Sequence, residues 1–169
     1  MALDDNGRIM NNDIAHGNIG VIDIGGKTTN LLSVRRLAEI ARETSSVNLG
    51  AWDVVRQARE FLAVECPELD LRDHEIVEAI SQRQVRYFGE PVDLSPIVEA
   101  AIAPMAEQVI AQASQLWNSG ARLDAVLVTG GGAHLFGAYL QEYFRHAYVV
   151  DDPVFANVVG YYRFAQRLK

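Results

Sequence analysis

Hydrophobic positions along the chain come in two kinds of run. Ile19 to Ile24 and Thr28 to Val34 are short, rich in β-branched residues and separated by glycines, so they predict two antiparallel strands. Asp124 to Thr129 is another such run and predicts a buried strand. Ala147 to Val150 predicts an edge or final strand. Elsewhere apolar residues recur at the helical period. Val54, Val55, Ala58, Phe61 and Leu62 share one face and predict a helix over 50–62, ended by Cys66-Pro67. Ile76, Val77 and Ile80 mark a second helix, capped by Asp73 and running through roughly Val85. Ser95 opens a long helix with Pro96 at its first position, where a missing N–H costs nothing. Its stripe continues through Val98, Ile102, Met105, Val109 and Leu116, and Pro104 inside it predicts a kink or restart. Gly137 to Arg145 and Val154 to Leu168 predict two more helices. Arg36 to Val47 fits either a helix, on Leu37, Ile40 and Ala41, or a strand. Residues 1–18 read as a short polar lead-in, with Asp5-Asn6-Gly7 as a turn signal, and 19–169 as a single domain. Periodicity alone gives the class α/β.

Two glycine-rich segments follow two of these strands: Asp23-Ile24-Gly25-Gly26-Lys27-Thr28-Thr29, and Val128-Thr129-Gly130-Gly131-Gly132-Ala133. Bare glycines at the end of a buried strand let backbone N–H groups approach a phosphate or a sugar closely. Neither segment is a single-loop fingerprint. A P-loop requires glycine five residues before the Gly-Lys pair, where Val21 stands, and a strand rather than a helix follows. A dinucleotide fingerprint counted from Gly130 and Gly132 would put its third glycine at Leu135. Strand, glycine turn with an acid before it, and strand again fits a phosphate-gripping hairpin; it also fits an ordinary hairpin turn.

Composition narrows the function classes. The 169 residues are 49 % hydrophobic and 22 % charged, as expected of one globular domain with a real core. A net charge of −7 argues against direct nucleic-acid binding. The four His and the single Cys show no metal-ligand spacing, and Cys66 alone fits a reducing cytoplasm. No signal peptide or membrane span is visible.

The two glycine segments bring in a resemblance. Asp23 to Thr29 resembles the second phosphate-binding motif of the actin superfamily of ATPases, and Leu127 to Phe136 resembles its adenosine motif. Asp152 to Tyr161 and Val85 to Leu94 are similar to segments of plasmid-segregation actin-like proteins of the ParM/StbA type. These matches run in the family's order from about Gly20 to the C-terminus. The resemblance implies a ribonuclease-H-like α/β domain with a mixed sheet, flanking helices and a helical insertion at about 63–95. It also implies that Arg36 to Val47 is a strand. The family's first phosphate loop has no counterpart before Asp23, so the chain resembles the second half only. It would be an excised domain, a truncation or a natural half-length protein, and the first is favoured.

The family's roles carry over residue by residue. Asp23 would orient water bound to Mg²⁺ beside the terminal phosphates of ATP or ADP, and a turn-capping aspartate is the plainer alternative. Gly25, Gly26, Lys27, Thr28 and Thr29 would offer N–H groups and hydroxyls to the β- and γ-phosphates, Lys27 being the weakest member. Gly50 and Asp53 resemble the ribose-side contact, although an acid favouring the helix dipole explains Asp53 as well. Gly130, Gly131, Gly132 and Ala133 would border the adenosine. His134 has no Ser or Cys partner and is taken as structural. Phe155 is expected in the core, and Arg83, Arg86 and Asp93 on a solvated face or at a subunit contact. The function so implied is that of one half of a nucleotide-dependent filament former, self-associating with its missing N-terminal half present. It would serve plasmid or DNA segregation or cytoskeletal organisation, in the cytoplasm, with no direct nucleic-acid or membrane contact. A sugar-type kinase of the same superfold and a non-enzymatic interaction module stay open, as does ATP against GTP.

Overall fold

Strand β1 (Asn18–Ile24) lies in the middle of a mixed sheet, because its residues have something apolar to meet on both faces. The computed structural model describes residues 2–168. β1 pairs antiparallel with β2 (Thr29–Arg35) and parallel with β7 (Ala125–Thr129), which pairs parallel with β8 (Ala147–Val149). Two short strands, β3 (Ala38–Glu39) and β4 (Ser45–Val47), pair antiparallel with opposite ends of β2 and complete the six-stranded sheet.

On one face of the sheet Ile22, Ile24, Leu31, Val126 and Val128 are fully buried. They form one core with residues of helices α2 (Ala51–Glu65), α3 (Asp73–Gln82), α4 (Ser95–Leu116) and α5 (Ala133–Tyr143). Burial of this apolar surface, at about 25 cal/mol per Å², is the main force holding the layers together. The opposite face carries Ile19, Val21, Leu127 and Thr129. Beside it run α6 (Ala156–Arg167) and the lead-in segment, which contains α1 (Asn12–His16).

Several local expectations are corrected. The lead-in is structured: Leu3 and Ala15 are buried, Asn11 caps α1 by accepting the Ile14 N–H at 3.0 Å, and Asp5 pairs with Arg163 of α6 at 2.8 Å. Arg36 to Val47 is not one strand. Arg36 and Leu37 turn the chain at positive φ, and a 3₁₀ turn at Ala41–Glu43 separates β3 from β4. The insertion is not wholly helical. α3 stops at Gln82 because Arg83 adopts the left-handed conformation (φ 52°). Residues beyond it form a hairpin, β5 (Gln84–Tyr87) and β6 (Glu90–Asp93), in which Val85 pairs with Val92. α4 runs unbroken through Pro104, which lies on the exposed side where water can satisfy the carbonyl it leaves unpaired. α5 begins at Ala133, four residues before the expected start, with Gly132 as its N-cap.

Candidate functional site

Parallel pairing puts the C-terminal ends of β1 and β7 side by side, with Asp23 opposite Thr129. Both glycine loops therefore leave the sheet at the same edge, the position where α/β sheets bind ligands. The Gly132 N–H donates to the Ile24 carbonyl at 2.9 Å, which ties the second loop to the start of the first. The Gly130 N–H donates to the Pro153 carbonyl at 2.9 Å.

The first loop is closed by the Gly25 N–H donating to the Thr28 carbonyl at 2.9 Å. Among the described residues the N–H groups of Gly26, Lys27 and Thr28 donate to no atom of the chain, so they are free for an anion. The start of α2 rests on this loop. Ala51 and Trp52 N–H groups donate to the carbonyls of Gly25 and Gly26, each at 2.9 Å. That approach requires Gly50, since a Cβ there would stand 2.6 Å from the Gly25 and Gly26 backbone.

The three glycines after β7 have different reasons for being glycine. Gly130 adopts φ +88°, and a Cβ on it would lie 2.4 Å from the Ile24 carbonyl oxygen. A Cβ on Gly132 would lie 2.4 Å from Ile24 Cγ2. Gly131 has neither constraint: its φ is ordinary and a Cβ would meet nothing within 4 Å. It borders a cleft of about 410 Å³ that also reaches Gly26, so one cavity touches both loops. α2 contributes Trp52 and Val55 to that cleft, α3 contributes Val77, Ile80 and Ser81, and α5 contributes His134 and Leu135.

Asp23, the penultimate residue of β1, lies on the other face of the sheet. Its Oδ1 accepts the Thr129 hydroxyl at 3.1 Å, and Asn30, Asn157 and Tyr161 line the same recess. Among the described residues no group of three or more acidic, His or Cys side chains is placed to hold a metal. A lone carboxylate at a strand end fits Mg²⁺ held through its own waters and a nucleotide's phosphates, since that ion keeps several waters.

The other expected residues divide. Lys27 is exposed at the loop tip. Thr29 is fully buried and its hydroxyl donates to the Leu49 carbonyl at 2.8 Å, facing the core and away from the open side of the loop. Asp53 accepts the Gly50 N–H at 2.8 Å and pairs with Arg56, so both its oxygens hold the start of α2. Ala133 is buried and its N–H donates to the Gly130 carbonyl at 3.1 Å. Phe155, expected in the core, is 57 % exposed at the start of α6, a helix with no buried residue. Arg83 pairs with Glu99, whose other oxygen accepts the Tyr139 hydroxyl. Asp93 accepts the Ser95 N–H at 2.9 Å, and that bond holds its carboxyl below the usual range. Trp52, Val77, Ile80 and Ser81 were not expected at the site. The one available signal is that Trp52 lies off the apolar stripe of its helix, where packing gives no reason for an aromatic.

The family model of the archaeal actin homologue MreB-like, C-terminal, matches residues 21–142. No curated protein matches the sequence. Among solved structures, a non-polymerisable quadruple mutant of pCBH ParM superimposes with a TM-score of 0.79 at 21 % identity, covering 96 % of this chain and 52 % of that one. A 15-stranded ParM filament from Clostridium botulinum gives 0.78 at 21 % identity, with 96 % and 51 % covered. An archaeal actin homologue in complex with ADP gives 0.76 at 21 % identity, with 91 % and 51 % covered. The chain thus spans about half the length of the structures it matches. Shared architecture is what these likenesses establish: an actin-like α/β fold with a mixed sheet and flanking helices. No helix among the described residues is long and apolar enough to cross a membrane.

Proposed function

The chain belongs to the family of archaeal actin homologues of the MreB-like type, C-terminal part, and from that premise we propose that it forms one wall of an ATP- or ADP-binding cleft in a filament-forming, actin-like protein. The observation that carries this reading is the cleft shared by the two glycine loops, held together by the Gly132–Ile24 hydrogen bond, with Gly131 open to it.

The roles follow from the geometry. Free N–H groups of Gly26, Lys27 and Thr28 bind the β- and γ-phosphates. Gly131 gives the nucleoside close access to the backbone. Asp23, fixed by the Thr129 hydroxyl, orients water of the Mg²⁺ that accompanies the nucleotide. When bound, that ion supplies charge neutralisation at the phosphate oxygens. Attack by water needs positioning groups on both sides of the phosphates, and these residues supply one side. The chain alone therefore binds nucleotide weakly and turns it over poorly. Filament formation, in the service of plasmid segregation or cytoskeletal organisation, belongs to the two-half protein in the cytoplasm. An ADP-bound relative and a relative solved as a filament support that reading.

Sedimentation tests it. The protein carrying this chain together with a first half should pellet with Mg²⁺-ATP and stay in the supernatant without nucleotide. Failure to pellet, together with no measurable ATP binding, would overturn the proposal.

A further inference from the structure

The cleft is bounded on one side by α3, through Val77, Ile80 and Ser81, and on another by α5, through His134 and Leu135. Among the described residues no hydrogen bond or ion pair joins these two helices directly; their polar connection runs through α4. Arg83, the residue at which α3 ends, pairs with one carboxylate oxygen of Glu99, and the other oxygen accepts the Tyr139 hydroxyl of α5. Tyr139 follows Leu135 by four residues, so it stands on the same face of α5, one turn further from the glycine loops. Arg83 is also where the chain's excursion is fastened at its neck, because the returning Leu94 N–H donates to the Arg83 carbonyl at 2.9 Å. Its left-handed backbone (φ 52°) favours glycine, and what an arginine adds at this position is its reach to Glu99.

Resting on the nucleotide reading above, we propose that Arg83, Glu99 and Tyr139 form a latch that holds α3 against α5, and that releasing it opens the cleft and speeds nucleotide exchange. The link is placed where it can part. The Arg83 and Glu99 side chains are 45 % and 48 % exposed, and an ion pair so exposed to water breaks at little cost. Glu99 is the single joint, since both arms end on its carboxylate. With the joint made, the C-terminal end of α3 is tied through α4 to the helix that starts at Gly132. With it broken, α3 and the β5–β6 hairpin beyond it are free to swing away from α5, and the bound and free states exchange faster without a change in the residues that hold the ligand.

The test uses the full chain and its own fluorescence, because Trp52 lines the cleft while the other tryptophan, Trp117, is buried. Acrylamide quenching of tryptophan emission therefore reads how open the cleft is. Glu99→Ala removes both arms, Tyr139→Phe removes one and keeps the ring, and Arg83→Gly removes the other while suiting the left-handed backbone. Each should be quenched more than wild type. Each should also release a fluorescent ATP analogue, displaced by excess Mg²⁺-ATP in stopped flow, about threefold faster or more. Glu99→Ala combined with Tyr139→Phe should move neither readout beyond Glu99→Ala alone, since the arms share one joint. Circular dichroism checks that each variant is folded. Folded variants quenched like wild type overturn the latch, and so do effects that add in the double variant. Greater quenching with wild-type release overturns its control of exchange. Wild-type chain that binds no ATP removes the nucleotide reading, and the quenching comparison still decides the latch.

Discussion

Gly132 and Ile24 are joined twice: the Gly132 N–H donates to the Ile24 carbonyl at 2.9 Å, and the Ile24 Cγ2 methyl occupies the space where a Cβ of Gly132 would project. The contact locks the loop after β7 onto the end of β1. Position 131 is thereby held facing the cleft without itself taking part in the lock.

Adjacent glycines should therefore respond differently to substitution. Gly131→Val places its Cβ where no protein atom lies within 4 Å, so the melting temperature should stay near wild type, while the added side chain intrudes on the cleft and weakens ATP binding by at least tenfold, about 1.4 kcal/mol. Gly132→Ala overpacks Ile24 and should destabilise the fold by about 1–3 kcal/mol. Calorimetry and thermal melts on both variants check the pair. A folded Gly131→Val with wild-type affinity would make the three glycines a mere turn.

Asp23 should separate fold from turnover. Asp23→Asn keeps an oxygen for the Thr129 hydroxyl, so the melting temperature should hold. Asp23→Ala leaves that nearly buried hydroxyl without its acceptor and should cost about 1–2 kcal/mol. In the two-half protein either change should abolish phosphate release; near-normal release by a folded variant would take Asp23 out of the mechanism.

Asp53 tests capping against ribose binding. Because it accepts the Gly50 N–H at the start of α2, Asp53→Ala should lower stability by about 1 kcal/mol. A capping role alone predicts that ATP and tripolyphosphate affinities keep their wild-type ratio. A selective loss of ATP affinity would show that the carboxylate also reaches the ribose.

The Glu99–Tyr139 contact gives a pH signature. The Tyr139 hydroxyl and Arg83 hold the Glu99 carboxyl below its usual range, so that contribution is present at neutral pH and lost as the solution is acidified through the lowered value. Burial, then the bond to Glu99, pushes the Tyr139 hydroxyl up to about 12, so its contribution is complete below the ordinary pH 10 and lost as pH rises from there towards about 12. Tyr139→Phe should thus melt lower than wild type at pH 7, with the gap closing at both extremes. Thermal melts at pH 3, 7 and 11.5 read it, and a gap independent of pH would show that the lost hydroxyl acts through packing alone.

What was legible in the sequence follows physical lines. β1, β2 and β7 were readable because each is a short run rich in β-branched residues with a glycine loop at one end, and α2 because its stripe faces the core. The hairpin after α3 was not. The break comes from Arg83 and Phe88 at positive φ, a conformation neither residue type announces. Arg36 and Leu37 conceal the turn after β2 in the same way. Both glycine loops were legible because glycine marks close approach. The α2 and α3 residues across the cleft were not, since only the packing of those helices brings Trp52 and Ser81 to one cavity.

That packing gives the cleft a mechanical character. Its floor, Gly26 and Gly131, is anchored to the sheet, whereas Val77, Ile80 and Ser81 belong to α3, in an excursion of the chain that leaves after Cys66 and returns at Leu94. The cavity is thus an aperture between two mountings, and its width is the angle of one mounting against the other. A pair of spectroscopic labels, one on the β5–β6 hairpin and one on the outer face of α5, would read that angle as a distance, turning the geometry of the opening into a ruler.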